Sequence, residues 1–157
     1  MIVDKRPIKY NFSSRSMTKI IYIVVHDTGN SNKGADAINH YRYFNGGNRN
    51  ASAHFFVDEN GVVETVEVSK TAWHCGDGHG RYGITNNNSI GIELCVNEGS
   101  DFEKTKANAI KLIRFLMESY GITKNNVVRH FDASRKLCPR SMSADNWKQW
   151  WIFKEMI

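Results

Sequence analysis

The sequence predicts an α/β domain, a central mixed β-sheet flanked by helices, and three observations carry that prediction. Ile20-Ile21-Tyr22-Ile23-Val24-Val25 is a continuous apolar run rich in β-branched residues. Such a run is the pattern of a strand covered on both faces and therefore central. Asp58-Glu59-Asn60-Gly61 lies between two apolar stretches, and its Asn-Gly pair signals an antiparallel hairpin, which makes the sheet mixed. Other stretches carry apolar residues at helical spacing. The chain has 157 residues, 41% hydrophobic and 24% charged, which suits one globular domain with its own core.

Residues 1–19 are polar and irregular, and are expected to form an N-terminal arm lying on the domain. The central strand follows and gives way to His26-Asp27-Thr28-Gly29, where polar side chains and glycine begin a loop. His26 then sits at the C-terminal end of a central strand, where open α/β sheets place ligands. A helix is expected to start over residues 30–33, to bury Ala37, Tyr41 and Phe44, and to stop at Gly46-Gly47. His40 in that helix reads as a surface or packing residue.

Ser52-Ala53-His54-Phe55-Phe56-Val57 is the next strand, and Val62 to Val66 is its hairpin partner. His54 reads either as an inward or edge position or as a residue lining a cleft. The stretch from Thr71 to Gly83 mixes four glycines with Trp73, His74, His79 and Tyr82. Loops that combine backbone freedom with stacking or reactive side chains tend to carry function, and His74 is the residue here expected to contact substrate. Ile90 to Val96 alternates cleanly. Ile90, Ile92, Leu94 and Val96 share one face; Gly91, Glu93 and Cys95 share the other. A carboxylate there is costly unless paired or used, so Glu93 is either a solvated edge residue or catalytic.

Ser100-Asp101-Phe102-Glu103 matches a capping box opening a helix, with Ala109, Ile113, Leu116, Met117 and Tyr120 as its buried stripe and Gly121 as its stop. Asn126 to Arg129 is a short strand carrying His130 at its end. Residues 131–142 read as a loop holding Cys138-Pro139, and Ser143 as the cap of a last helix bearing Trp147, Trp150 and Trp151. One domain over residues 1–157 is expected, with any further domain outside this chain.

A formal net charge of +5 favours anionic partners. There is no block of consecutive Lys/Arg and no nucleic-acid motif, so nucleic acid is not the expected partner. The cysteines Cys75, Cys95 and Cys138 are odd in number and irregularly spaced, which argues against a disulfide framework. No apolar segment approaches the roughly 20 residues that span a bilayer, and the first residues lack an apolar signal core. Synthesis in the cytoplasm without a signal peptide, no membrane insertion and a monomeric state are the expectations.

His26, His130 and Cys138 are candidate ligands for one zinc ion with an open fourth position, the arrangement of catalytic zinc sites. Six histidines and three cysteines permit many combinations, and scattered core histidines with a buried thiol account for the same residues.

The segments Val24-Val25-His26-Asp27-Thr28-Gly29, Ala53-His54-Phe55, Trp73-His74, Asn88-Ser89-Ile90-Gly91-Ile92-Glu93-Leu94, Arg129-His130-Phe131-Asp132 and Lys136-Leu137-Cys138-Pro139 together resemble the zinc-dependent N-acetylmuramoyl-L-alanine amidases. These are the type 2 amidases and peptidoglycan recognition proteins, which include phage endolysin catalytic domains. The resemblance implies a zinc ion in a groove beside the sheet, and hydrolysis of the amide between N-acetylmuramic acid and L-alanine in peptidoglycan. It assigns zinc to His26, His130 and Cys138. It makes Glu93 the acid-base carboxylate and Lys136 the cation that stabilises the oxyanion; without the family, Lys136 reads as a solvated loop lysine. It places Trp73, His74 and His54 along the substrate groove. Some phage relatives carry Tyr where this chain has Ala53 and lack the glutamate, so the base role falls to Glu93 here. Non-catalytic receptors in the superfamily lose the cysteine, which this chain keeps at Cys138. A phage or prophage endolysin released to the cell wall is the implied role, with a cytoplasmic muropeptide-recycling amidase as the alternative.

Overall fold

The computed structural model describes residues 2–157. Its strands are β1 (Val3–Lys5), β2 (Phe12–Ser14), β3 (Tyr22–Asp27), β4 (Phe55–Asp58), β5 (Gly61–Glu64), β6 (Lys70–Ala72), β7 (Ser89–Leu94) and β8 (Val127–Arg129). Its helices are α1 (Ala37–Asn45), α2 (Phe102–Tyr120), α3 (His130–Ser134) and α4 (Ala144–Glu155). Six strands form one sheet in the order β1-β5-β4-β7-β3-β8, and β2 pairs with β6 in a separate ribbon. The hairpin pair β4 and β5 is antiparallel and every other neighbouring pair of the large sheet is parallel. The mixed sheet flanked by helices is therefore present as expected.

Strand β3 lies between β7 and β8, and Ile23, Val24 and Val25 have no exposed surface. The apolar run thus forms the central strand, beginning at Tyr22 and extending through His26 and Asp27. Alternation divides its side chains between two layers. Ile23 and Val25, with Ile90, Ile92 and Leu94 of β7, pack into the main core together with Leu112, Ile113 and Leu116 of α2 and with Trp150 and Phe153 of α4. Each fully buried aliphatic side chain of this kind contributes about 1.5–3 kcal/mol. On the opposite layer Val24 packs with Cys75, Ile84 and Ala133, and Phe56 packs with Ala37 of α1. His26 and Glu93 belong to this second layer and are direct register partners.

Helix α1 starts later than residues 30–33, because Asp36 supplies the N-cap and accepts from the Asn39 N–H. His40 is a packing residue stacked on Phe56, with ring centroids 5.2 Å apart. In α2 the cap is Asp101, which accepts from the Lys104 N–H, and not Ser100, whose hydroxyl donates to the Asn97 carbonyl. Gly121 closes α2 at φ 64°, where an L side chain is strained. Ala109, Ile113 and Leu116 are buried as expected, but Tyr120 is 39% exposed at the last turn. The expected loop over 131–142 contains α3, because Asp132 accepts from the Arg129 N–H and guanidinium and so starts a helix directly after β8. Ser143 stands at the N-cap of α4 without a side-chain capping bond. Trp150 of α4 is buried and Trp147 packs beside the core, while Trp151 is half exposed.

The arm is more ordered than its polar sequence suggests. It supplies β1 to the edge of the large sheet and β2 to the ribbon. Arg15 then clasps the domain by donating to the carbonyls of Val68, Asn87 and Ser89.

Candidate metal centre and active site

The parallel strands β3, β7 and β8 all end at the same edge of the sheet, and the site is built there. His26 is the penultimate residue of β3, His130 is the first residue of α3 directly after β8, and Cys138 returns on the following loop. His26 Nδ1 and His130 Nδ1 are 3.0 Å apart, and Cys138 Sγ is 3.8 Å from His26 Nδ1. Among the described residues these three form the one group of His, Cys, Asp or Glu whose donor atoms all lie within 4.8 Å of one another. All three are buried.

The donor chemistry fits a cation. His130 Nε2 is 2.8 Å from Asp77 Oδ1. A carboxylate oxygen only accepts, so this pair places the ring proton on Nε2 and leaves Nδ1 bare toward His26. Two imidazole nitrogens and a sulfur that converge on one point are a donor set suited to a metal ion. Burial, followed by the nearby Glu93, pushes the Cys138 thiol up; a bound metal would reverse that and hold the thiolate. Burial also acts to raise the Asp77 carboxyl, but the hydrogen bond and charge of His130 outweigh it, and the group lies below its ordinary range.

Glu93 projects from β7 beside this cluster, with Oε1 3.9 Å from His26 Nδ1. Its Oε2 is buried and has no hydrogen-bond partner among the described residues. Burial above all, and then the charge of Asp27, raises its carboxyl to about 8, against the opposing pull of Lys136. A buried carboxyl raised in this way, beside an open cleft, is suited to taking up and returning a proton. The cleft holds about 370 Å³ and is bordered by His26, Trp73, His74, Glu93, Lys136 and Cys138. Further hollows adjoin it on both sides. One of about 340 Å³ shares Thr28 and Phe44 and runs along α1. Another, of about 320 Å³, shares Trp73, His74 and Lys136 and reaches Asp77 and Asn86. The result is a groove with the cluster at its middle.

Of the residues singled out from sequence, the structure gathers His26, His130, Cys138, Glu93, Lys136, Trp73 and His74 around one cleft. His54 is the exception. It has no exposed surface, its Nδ1 accepts from the Gly91 N–H at 3.0 Å, and its Nε2 reaches the Lys70 carbonyl at 3.1 Å. With both nitrogens used inside the core it stands behind the groove wall, with its ring 5.8 Å from that of His74. Cys75 and Cys95 are buried away from the cluster. Asp77 and Ser89 contact site histidines but escaped the sequence reading. Asp77 lay within the unusual glycine-rich stretch, which was the one available signal.

Comparison with known proteins bears directly on this arrangement. Residues 16–141, a span holding every residue of the cluster, match the model of a family described as N-acetylmuramoyl-L-alanine amidase. The chain belongs to that amidase family. Among curated relatives, the N-acetylmuramoyl-L-alanine amidase CwlH of Bacillus subtilis is 44% identical over 126 residues, covering 80% of this chain and 49% of the relative. The N-acetylmuramoyl-L-alanine amidase XlyA of Bacillus subtilis is 42% identical over 127 residues, covering 81% of this chain and 41% of the relative. The amidase chain thus spans about half the length, or less, of these relatives. Among solved structures, the catalytic domain of XlyA superposes with a TM-score of 0.87 at 37% identity, covering 100% of this chain and 99% of that one. A mutant endolysin from Bacillus subtilis gives 0.86 at 38% identity, covering 99% and 98%.

Proposed function

We propose that this amidase domain hydrolyses the amide between N-acetylmuramic acid and L-alanine in bacterial peptidoglycan, with one zinc ion held by His26, His130 and Cys138. The observation that carries the reading is the convergence of these three buried donors beside the Glu93 carboxyl, whose Oε1 is 3.9 Å from His26 Nδ1. The two imidazole nitrogens 3.0 Å apart and the sulfur 3.8 Å from His26 Nδ1 are N and S donors of the kind that would hold zinc. When bound, zinc supplies Lewis acidity to the scissile carbonyl and to an attacking water.

The remaining work falls to side chains. Glu93, whose side chain borders the cleft, accepts a proton from the attacking water. It then delivers that proton to the alanine nitrogen, which leaves poorly unless protonated. The Lys136 ammonium at the cleft rim offsets the negative charge that develops on the carbonyl oxygen. Asp77 holds the His130 ring in its ligating tautomer. The groove on both sides of the centre suits a substrate with a glycan on one side of the bond and a peptide on the other, with Trp73 on its wall. The names of the relatives support use as an endolysin acting on the cell wall, and a net charge of +5 would favour docking on an anionic wall.

Digestion of purified peptidoglycan tests the reading. New L-alanine amino termini without new reducing sugars are expected; reducing sugars alone, or no cleavage, would overturn it. Metal analysis of the active protein should find about one zinc per chain. Intact walls should be the better substrate, and a preference for soluble muropeptides would replace the lysin with a recycling enzyme.

A further inference from the structure

His74 borders the groove, yet both of its ring nitrogens are already committed to the protein. Nε2 lies 3.1 Å from Ser89 Oγ, and Nδ1 lies 3.1 Å from His26 Nε2. The direction of these bonds follows from one anchor. Ser89 Oγ also contacts the Thr85 carbonyl, which can only accept, so the single hydroxyl proton goes there. Ser89 Oγ therefore offers a lone pair to His74, and the His74 proton must sit on Nε2. His74 Nδ1 is then bare, and His26 must supply the proton between them from its own Nε2. His26 Nδ1 is left as a lone pair facing His130 and Cys138.

The seat of the His74 ring is built for it. It lies over Gly91 of β7, where an added Cβ would come within 2.5 Å of His74 Cγ and 2.8 Å of Nδ1. The His74 and Cys75 N–H groups both donate to Asn86 Oδ1, at 3.0 and 2.8 Å, which fixes the backbone that carries the ring. The neighbouring His54 closes the far side.

We propose that the Thr85 carbonyl, the Ser89 hydroxyl and the His74 ring form a one-way hydrogen-bond chain that sets the tautomer of His26 and so presents His26 Nδ1 to the metal. His74 is then a positioning residue for the metal centre, in place of the substrate contact that its loop suggests. It does for His26 what Asp77 does for His130, with a neutral acceptor instead of a carboxylate. This inference rests on the zinc reading above, and its test separates the two.

The first measurement uses the zinc-loaded wild-type protein, in which nitrogen-15 correlation spectra of the imidazoles report the tautomer of each ring. His74 should carry its proton on Nε2 with Nδ1 bare. A proton on Nδ1, or on both nitrogens, overturns the chain while leaving the zinc site standing. The second compares the near-isosteric variants His74→Asn and His74→Leu by zinc competition against a chromophoric chelator. The Asn Oδ1 takes the place of Nδ1 and can still accept from His26, whereas Leu cannot. Loss of an orienting partner of this kind weakens metal binding about 10–100-fold, so Leu should fall in that range and Asn should stay within about threefold of wild type. Equal affinities for the two variants overturn the proposal. Should His74→Leu fail to fold, the wild-type tautomer decides alone. A wild-type protein that binds no zinc overturns the metal reading and this inference together.

Discussion

Strands β3 and β7 present two faces built from alternate residues of the same two segments. On one face Ile23, Val25, Ile90, Ile92 and Leu94 pack under α2 and α4, with no polar atom to satisfy. On the other, one residue away at each step, lie His26, Gly91 and Glu93, with His74 filling the space above Gly91. The first face gains stability from each residue it buries. The second holds a carboxyl raised to about 8 with one oxygen unpartnered among the described residues, and two imidazole nitrogens 3.0 Å apart. Desolvated polar groups of that kind oppose folding unless something binds them. The difference shows what each layer is for: one stabilises the sheet edge, and the other uses that rigidity to hold an arrangement that would not persist on a mobile loop.

The sharpest way to break the contrast is at Glu93. Glu93→Ala should keep the fold and the zinc stoichiometry, because no contact that holds the sheet is lost. Hydrolysis of peptidoglycan should fall by about 10²–10⁴-fold, the usual loss on removing an acid-base group. Near-normal turnover with that substitution would move the base elsewhere. The adjacent residue gives the opposite result. Leu94→Ala, fully buried on the apolar face, should lower stability by about 2–5 kcal/mol in denaturant titration, while the protein that remains folded keeps its turnover. A Leu94→Ala variant with full stability would mean that this face is not the core.

Lys136 sharpens the comparison from the cleft rim. It is exposed, and among the described residues its hydrogen bonds come from its backbone and not from its ammonium. Lys136→Ala should leave denaturation unchanged and lower kcat about 10²–10³-fold if the ammonium stabilises the oxyanion. A loss confined to KM would make it a docking residue instead.

The two faces were unequally legible in the sequence. Period-two alternation is a local property, so Ile90 to Leu94 could be assigned to a face directly, and the central strand stood out by its unbroken apolar run. His26, His130, Cys138, Glu93 and Lys136 were visible as residues in recurring surroundings. Their orientation was not, because it depends on contacts far away in the chain. His54 and His74 look alike in sequence, each beside a strand and an aromatic residue. Only the Gly91 N–H and the Lys70 carbonyl turn His54 inward, while Ser89 and His26 claim His74. The arm misled for a different reason. Three-residue strands such as β1 and β2 are too short to show a period, and their pairing is set by β5 and β6. Asp101 displaced Ser100 as the cap of α2 because both are good capping residues, and the choice between adjacent positions rests on loop geometry.

Asp77 offers the smallest and most discriminating test, because it belongs to neither face. Its side chain is 47% exposed on the glycine-rich loop, yet it makes a 2.8 Å bond to Nε2 of the buried candidate ligand His130. Asp77→Asn keeps the size of the side chain and loses its charge. The amide can still accept through its oxygen, but it can also turn its NH₂ toward the ring, which would draw the His130 proton to Nδ1 and block the ligating position. Zinc affinity should therefore fall about 10–100-fold in chelator competition, with the midpoint of zinc-free denaturation unmoved. A drop in zinc-free stability of the size expected for Leu94→Ala would place Asp77 with the structural face. An unchanged zinc affinity would show that His130 is oriented by its place at the start of α3 alone. Only a loss of metal binding without a loss of fold assigns the loop to the chemistry of the centre, and makes the exposed carboxylate and the buried His74 two solutions to the same problem of ligand orientation.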